Sequence, residues 1–127
     1  MKSVAHLLLA EDNAINRRVL HEQLLSLGYQ VESVEDGQAA IEACANRKFD
    51  LILMDCEMPV VDGFAAAKAI RAFEKEQRTE PTPILAFSGH CSEDIRFLVQ
   101  RAGMSDLVTK PLPTEELEKI VQIWLKR

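Results

Sequence analysis

No apolar stretch in this chain approaches the roughly 20 residues that a membrane-spanning helix needs, so membrane insertion is not expected. Cysteine is scarce: Cys44, Cys56 and Cys91 are an odd number with no CxxC pair among them. That argues against a disulfide scaffold and a zinc site, and for a reducing compartment with cytoplasmic location as the expectation. His6, His21 and His90 show no metal-ligand spacing and read as surface or packing residues. Positive charge is in deficit, with 15 Lys and Arg against 20 Asp and Glu and a net charge of −5. Such a balance disfavours nucleic acid as a direct partner, because phosphate binding needs a basic surface. The opening Met1–His6 is too short and too soon followed by acids to read as a signal peptide. No glycine-rich loop follows the first apolar run, which removes a P-loop and a dinucleotide fingerprint. Internal repeats and low-complexity tracts are missing too.

What is present centres on Leu51–Gly63, LILMDCEMPVVDG. An unbroken apolar run, Leu51–Met54, stops at Asp55, and a turn with Met58-Pro59 and Asp62-Gly63 follows. A strand buried on both faces has this appearance, since it has no solvent face to mark with polar residues. Along the rest of the chain, strand patterns at Val4–Ala10, Tyr29–Val34, Pro83–Phe87 and Asp106–Val108 alternate with helical ones. Glu32 makes Tyr29–Val34 an edge or near-edge strand. The first helix, capped by Asn13 and closed by Gly28, carries Ile15, Val19, Leu20, Leu24 and Leu27 at helical spacing. The second starts at Asp36-Gly37, the third runs from Phe64 to about Lys75, and the last from Thr114 to Lys126. Ser92 caps the fourth, which turns Ile95, Leu98 and Val99 inward and is closed by Gly103. Alternation with short connections predicts right-handed crossovers and a parallel five-stranded α/β sheet clad by helices on both faces. All 127 residues fit one domain, spanning 1–127.

In a parallel sheet every strand delivers its last residue to the same rim, where open α/β folds bind their ligands. Here the first strand delivers Glu11 and Asp12, the third Asp55, the fourth Ser88 and the fifth Lys110. Three carboxylates within about 5 Å repel by roughly 3 kcal/mol per pair at an effective dielectric near 20. Such a site needs a cation, or one acid takes up a proton. Oxygen ligands alone select a hard ion, Mg²⁺ or Mn²⁺, and magnesium usually shares its shell with a phosphate. Lys110 can neutralise one phosphoryl oxygen and the Ser88 hydroxyl can hydrogen-bond another. Asp55 could then act as a carboxylate nucleophile and hold the group as an acyl phosphate.

These blocks resemble the receiver domains of two-component response regulators. The likeness runs through LLLAEDN (Leu7–Asn13), LILMDCEMPVVDG, AFSG (Ala86–Gly89) and TKP (Thr109–Pro111), all at fitting spacing. MDCEMPVVDG is most like the receivers of hybrid sensor kinases and phosphorelays. The resemblance implies a flavodoxin-like (βα)5 sandwich with strand order 2-1-3-4-5. It implies that Asp55 accepts a phosphoryl group from a histidine kinase or a histidine phosphotransfer domain, the chain being a stand-alone regulator or part of a larger hybrid kinase. Asp12, Asp55 and the backbone carbonyl of Glu57 would hold Mg²⁺, with Glu11 binding through water or positioning the ion. Ser88 would be the switch hydroxyl and Lys110 its counter-charge, with a cis Lys110-Pro111 bond. Ser92–Ala102, Asp106–Val108 and Thr114–Lys126 would form the output face. The chain is then a switch, not an enzyme, beyond its own phosphorylation and slow dephosphorylation.

Two positions depart from the family pattern. Leu107 stands where many members have an aromatic whose rotamer reports the switch state, and Glu57 adds an acid beside the metal. Two other readings stay open on the residues alone. One is a metal-dependent hydrolase or nuclease, poorly matched because Asp55-Cys56-Glu57 is the nearest approach to a DxD pair. The other is a degenerate receiver that only docks, against which the intact Glu11/Asp12/Asp55/Lys110 set speaks.

Overall fold

The computed structural model describes residues 4–58, 60–89 and 92–126. Expectations for His90, Cys91 and the Met58-Pro59 turn fall at least partly outside that range. Five strands alternate with five helices: β1 His6–Ala10, α1 Ala14–Ser26, β2 Gln30–Val34, α2 Gly37–Asn46, β3 Leu51–Asp55, α3 Gly63–Gln77, β4 Ile84–Ser88, α4 Glu93–Arg101, β5 Asp106–Thr109 and α5 Thr114–Leu125. The strands form one parallel sheet in the order β2-β1-β3-β4-β5, so β2 is an edge strand as Glu32 suggested. Among the described residues no helix is long and apolar enough to cross a membrane.

The two-residue period of the strands divides the core into two layers. Leu8, Ala10, Ile52, Met54, Ile84 and Ala86 face α2, α3 and α4, where they meet Ala40, Ala43, Ala66, Ala67, Ile70 and Val99. The alternate positions, Leu7, Leu9, Leu51, Leu53, Leu85 and Phe87, face α1 and α5 and pack on Leu24, Leu117 and Val121. The central strands are buried on both sides, which is why they read as unbroken apolar runs.

Helix starts follow local chemistry. Side chains of Asn13, Asp36, Asp62 and Ser92 accept hydrogen bonds from the backbone N–H groups of Asn16, Ala39, Ala65 and Ile95 at 2.8–3.2 Å. Gly63 is required by close approach. A Cβ there would lie 2.2 Å from the Asp55 carbonyl oxygen, so only glycine lets α3 begin against the end of β3. The start of α2 is held likewise: Gly37 N–H donates to the Val61 carbonyl at 3.1 Å, and a Cβ would sit 2.0 Å from that oxygen.

Two helix faces differ from expectation. In α1 Leu20 and Leu24 turn to the sheet, while Ile15 (75% exposed) and Val19 (51% exposed) face outward, and Leu27 is the half-buried cap at the helix end. At 100° per residue, Ile15 and Val19 lie a quarter turn or more from the buried set. In α4, Val99 is buried and Ile95 half-buried, but Leu98 is exposed, because the helix rests on the sheet along the Ile95–Val99–Ala102 line.

Candidate functional site

All five strands point their carboxyl ends to one rim, and the register brings the predicted residues together there. Ala10 pairs with Met54 and Asp55 with Phe87, so Glu11 and Asp55 leave adjacent strands side by side. Glu11 extends the ladder by donating its N–H to the Val34 carbonyl at 3.1 Å. The Glu11 and Asp55 side chains are 2% and 4% exposed, while Asp12 reaches solvent beside them. Carboxylate oxygens of Glu11, Asp12 and Asp55 all lie within 4.8 Å of one another.

Lys110 closes the group. Its Nζ lies 3.0 Å from Glu11 Oε1 and 3.0 Å from Asp55 Oδ2, bridging the two buried acids. Burial works against its charge, but hydrogen bonds to Asp55 and Glu11, and their charges, outweigh it and raise its pKa above the ordinary lysine value. The remaining oxygens are held by main-chain amides: Glu57 N–H donates to Asp55 Oδ1 at 3.1 Å and Asn13 N–H to Glu11 Oε2 at 3.1 Å. Three carboxylates nevertheless cluster about an ammonium that pairs with two of them. At an effective dielectric near 20 each unshielded pair at this separation costs about 3 kcal/mol, less where Asp12 meets solvent. Among the described residues the donors are all oxygen, with no nitrogen or sulfur ligand in the cluster, so the set fits a hard divalent cation. Cys56 is no competitor: burial, then the charges of Asp55 and Glu57, push its thiol up to about 12. It packs into the α2–α4 layer as a small core residue.

Ser88 is buried at the end of β4 on the same rim. Its Oγ donates to Glu57 Oε1 at 3.3 Å; the sequence places the Glu57 acid beside the metal but carries no sign of this hydroxyl partner 31 residues away. The Ser88 carbonyl accepts from Lys110 N–H at 2.8 Å, tying the ends of β4 and β5 together. Lys110-Pro111 is cis, as the resemblance implied. Arg17 is a second residue not anticipated. From the first turns of α1 its Nη1 donates to the backbone carbonyls of Glu11 at 3.0 Å and Asp12 at 3.4 Å, clamping the acidic turn. A basic residue four positions after the capping Asn13 is the signal that could have found it. Leu107 is half-buried against the α2–α4 layer. Phe97 is 58% exposed with the Arg101 guanidinium 5.7 Å from its ring centroid, and Trp124 packs in the opposite layer.

Residues 7–122 match the family model described as the response regulator receiver domain. Among curated proteins, the sensor protein GacS of Pseudomonas syringae pv. syringae is 37% identical over 92% of this chain and 13% of its own length. The chain thus spans only a small part of the curated relatives it matches. Among solved structures, the receiver domain of sensor histidine kinase PA1611 from Pseudomonas aeruginosa PAO1, with a magnesium ion in its active-site cleft, superposes with a TM-score of 0.88. It is 38% identical, and the match covers 98% of this chain and 100% of that one. The receiver of Saccharomyces cerevisiae Ssk1, solved with the histidine phosphotransfer protein Ypd1, gives a TM-score of 0.89 at 30% identity, covering 97% of this chain and 91% of that chain. With the acidic cluster, its bridging lysine and the 2-1-3-4-5 parallel sheet already in place, the chain belongs to the response regulator receiver domains.

Proposed function

We propose that Asp55 is the phospho-acceptor of a two-component or phosphorelay switch, and that residues 1–127 act as one receiver unit. The observation that carries this reading is the Lys110 ammonium bridging Asp55 and Glu11 at 3.0 Å, with Asp12 completing a trio of acids. An Asp55 carboxylate oxygen attacks the phosphorus of a phosphohistidine. The P–O bond forms as the P–N bond breaks, and the imidazole leaves with the electron pair and takes up a proton.

Glu11, Asp12, Asp55 and the Glu57 backbone carbonyl would hold Mg²⁺, and Mn²⁺ would suit the same oxygen donors. When bound, the divalent ion offsets the charge of the transferring phosphoryl group. The chain's own residues do the rest. Glu57 N–H orients the Asp55 carboxylate, Lys110 provides a fixed positive charge, and Ser88 offers a hydroxyl proton to a phosphoryl oxygen. Since Ser88 ends β4 and Lys110 follows β5, movement there passes to the face of α4, β5 and α5, which is the output surface in this reading. The role is that of a switch, with no turnover beyond its own phosphorylation and its slow loss.

The phosphoryl donor is a histidine kinase or a histidine phosphotransfer domain, a reading supported by the Ypd1 complex of the Ssk1 receiver. GacS, in which the matching segment is a small fraction of the length, favours a receiver that works within a larger hybrid kinase. Its place is then the cytoplasm, where kinase ATP is found, and the acidic chain makes no direct contact with nucleic acid.

Acetyl phosphate plus Mg²⁺ should add one phosphoryl group to the wild-type chain, read by intact mass, and none to Asp55→Asn. Equal labelling of both would overturn the assignment. Repeated turnover of simple phosphate esters would favour a hydrolase instead.

A further inference from the structure

The Ser88 Oγ, on the same rim as the acid trio, donates a hydrogen bond to Glu57 Oε1 at 3.3 Å. A serine hydroxyl has one proton to give. A phosphoryl group on Asp55 and the Glu57 carboxylate therefore compete for the same donor. We propose that Glu57 is a positioning residue that holds the Ser88 hydroxyl away from Asp55 in the unphosphorylated protein, a latch released by phosphorylation. This rests on Asp55 being the phospho-acceptor.

Three features of the site make the latch workable. Glu57 is coupled to the acceptor through its own main chain, because its N–H bonds Asp55 Oδ1 at 3.1 Å. Its side chain is exposed, so a displaced carboxylate can swing into water without a burial cost. Ser88, by contrast, is fully buried, and its main chain is held by the bond from Lys110 N–H to its carbonyl. The hydroxyl rotor and the Glu57 arm are both able to move. A phosphoryl group carries a charge of about −1.5 to −2. It would repel the Glu57 carboxylate two residues away while its oxygens draw the Ser88 proton. Both effects open the latch, so Glu57 stabilises the resting state relative to the phosphorylated one. The acid that departs from the family pattern thereby acquires a sign: it opposes switching on.

Beryllofluoride with Mg²⁺, a non-covalent phosphoryl mimic, provides an equilibrium readout through its half-saturating concentration. Glu57→Ala should tighten it by a factor containing two parts, relief of charge repulsion and release of Ser88. Only the second part needs the hydroxyl. The gain from Glu57→Ala should therefore be about three- to tenfold larger with Ser88 present than in Ser88→Ala, the size expected of one hydrogen bond. Ser88→Thr, which keeps the hydroxyl and adds one methyl group, should restore the difference. Glu57→Gln, still an acceptor but neutral, should show the same gain in both backgrounds. A Glu57→Ala gain that is equal in the wild-type, Ser88→Thr and Ser88→Ala backgrounds overturns the latch while leaving Asp55 labelling by acetyl phosphate intact. Loss of wild-type labelling at Asp55 would instead sink the underlying phospho-acceptor reading and the latch with it.

Discussion

The two rims of the sheet both hold charged side chains near the core, yet they solve the problem differently. At the amino-terminal rim one acid meets one base. Arg71 Nη1 binds Glu74 Oε1 at 2.7 Å and the Thr82 carbonyl at 2.8 Å, and Arg71 Nε binds the Gly103 carbonyl at 2.8 Å. The second Glu74 oxygen accepts from Thr82 N–H at 2.8 Å, so charges and hydrogen bonds both balance. At the carboxyl-terminal rim the Lys110 ammonium bridges Glu11 and Asp55, and a third acid, Asp12, lies beside them. A balanced cluster ties α3 to the loop before β4 and asks for nothing more. An unbalanced one is held in a costly state by the fold around it, and the surplus of negative charge is what a cation would relieve. Electrostatic imbalance, not burial, separates the two rims.

Breaking each rim should therefore have opposite consequences. The largest effect on stability is expected from Arg71→Ala, which leaves Glu74 without its partner and frees two carbonyls. It should cost about 2–3 kcal/mol in urea unfolding, with phosphoryl uptake by the folded fraction unchanged. Mg²⁺ should act only on the other rim. At ten times its Kd it should stabilise the wild type by about 1.4 kcal/mol, visible as a rise in Tm, and do so equally in Arg71→Ala. Asp12→Asn removes one of the competing charges. The metal-free protein should gain about 1 kcal/mol while its response to Mg²⁺ shrinks, an exchange of function for stability. The smallest effect concerns pH. Lys110 has a folded pKa above its ordinary 10.5, so the stability it contributes is fully present below that value and is lost as pH rises through the folded one. In the absence of divalent ions, Tm should fall more steeply above pH 10.5 in the wild type than in Lys110→Met.

Much of this architecture was legible because its causes are local. The apolar runs of β1, β3 and β4 announce strands covered on both faces, and Asn13, Asp36 and Ser92 mark helix starts by chemistry confined to one turn. The strand ends could be read as converging because parallel strands share one direction, although the 2-1-3-4-5 order came from family resemblance. Where reading by pattern fell short, the deciding neighbour lay elsewhere in the chain. Periodicity groups apolar residues around a helix axis but does not say which stripe meets the sheet, so Ile15, Val19 and Leu98 share a spacing with residues that are more buried.

The sequence by itself thus determined the alternation of elements, the strands buried on both faces, and the identity of the acids and the lysine at the strand ends. These depend on spacing along the chain and on side-chain type. Only the tertiary structure decided that Lys110 bridges Glu11 and Asp55, that Arg17 clamps the acidic turn, and that the Ser88 hydroxyl donates a hydrogen bond to Glu57. Hydrogen bonds form within about 3 Å, and pairs separated by 31 or 99 residues reach that distance only after the sheet has set its register.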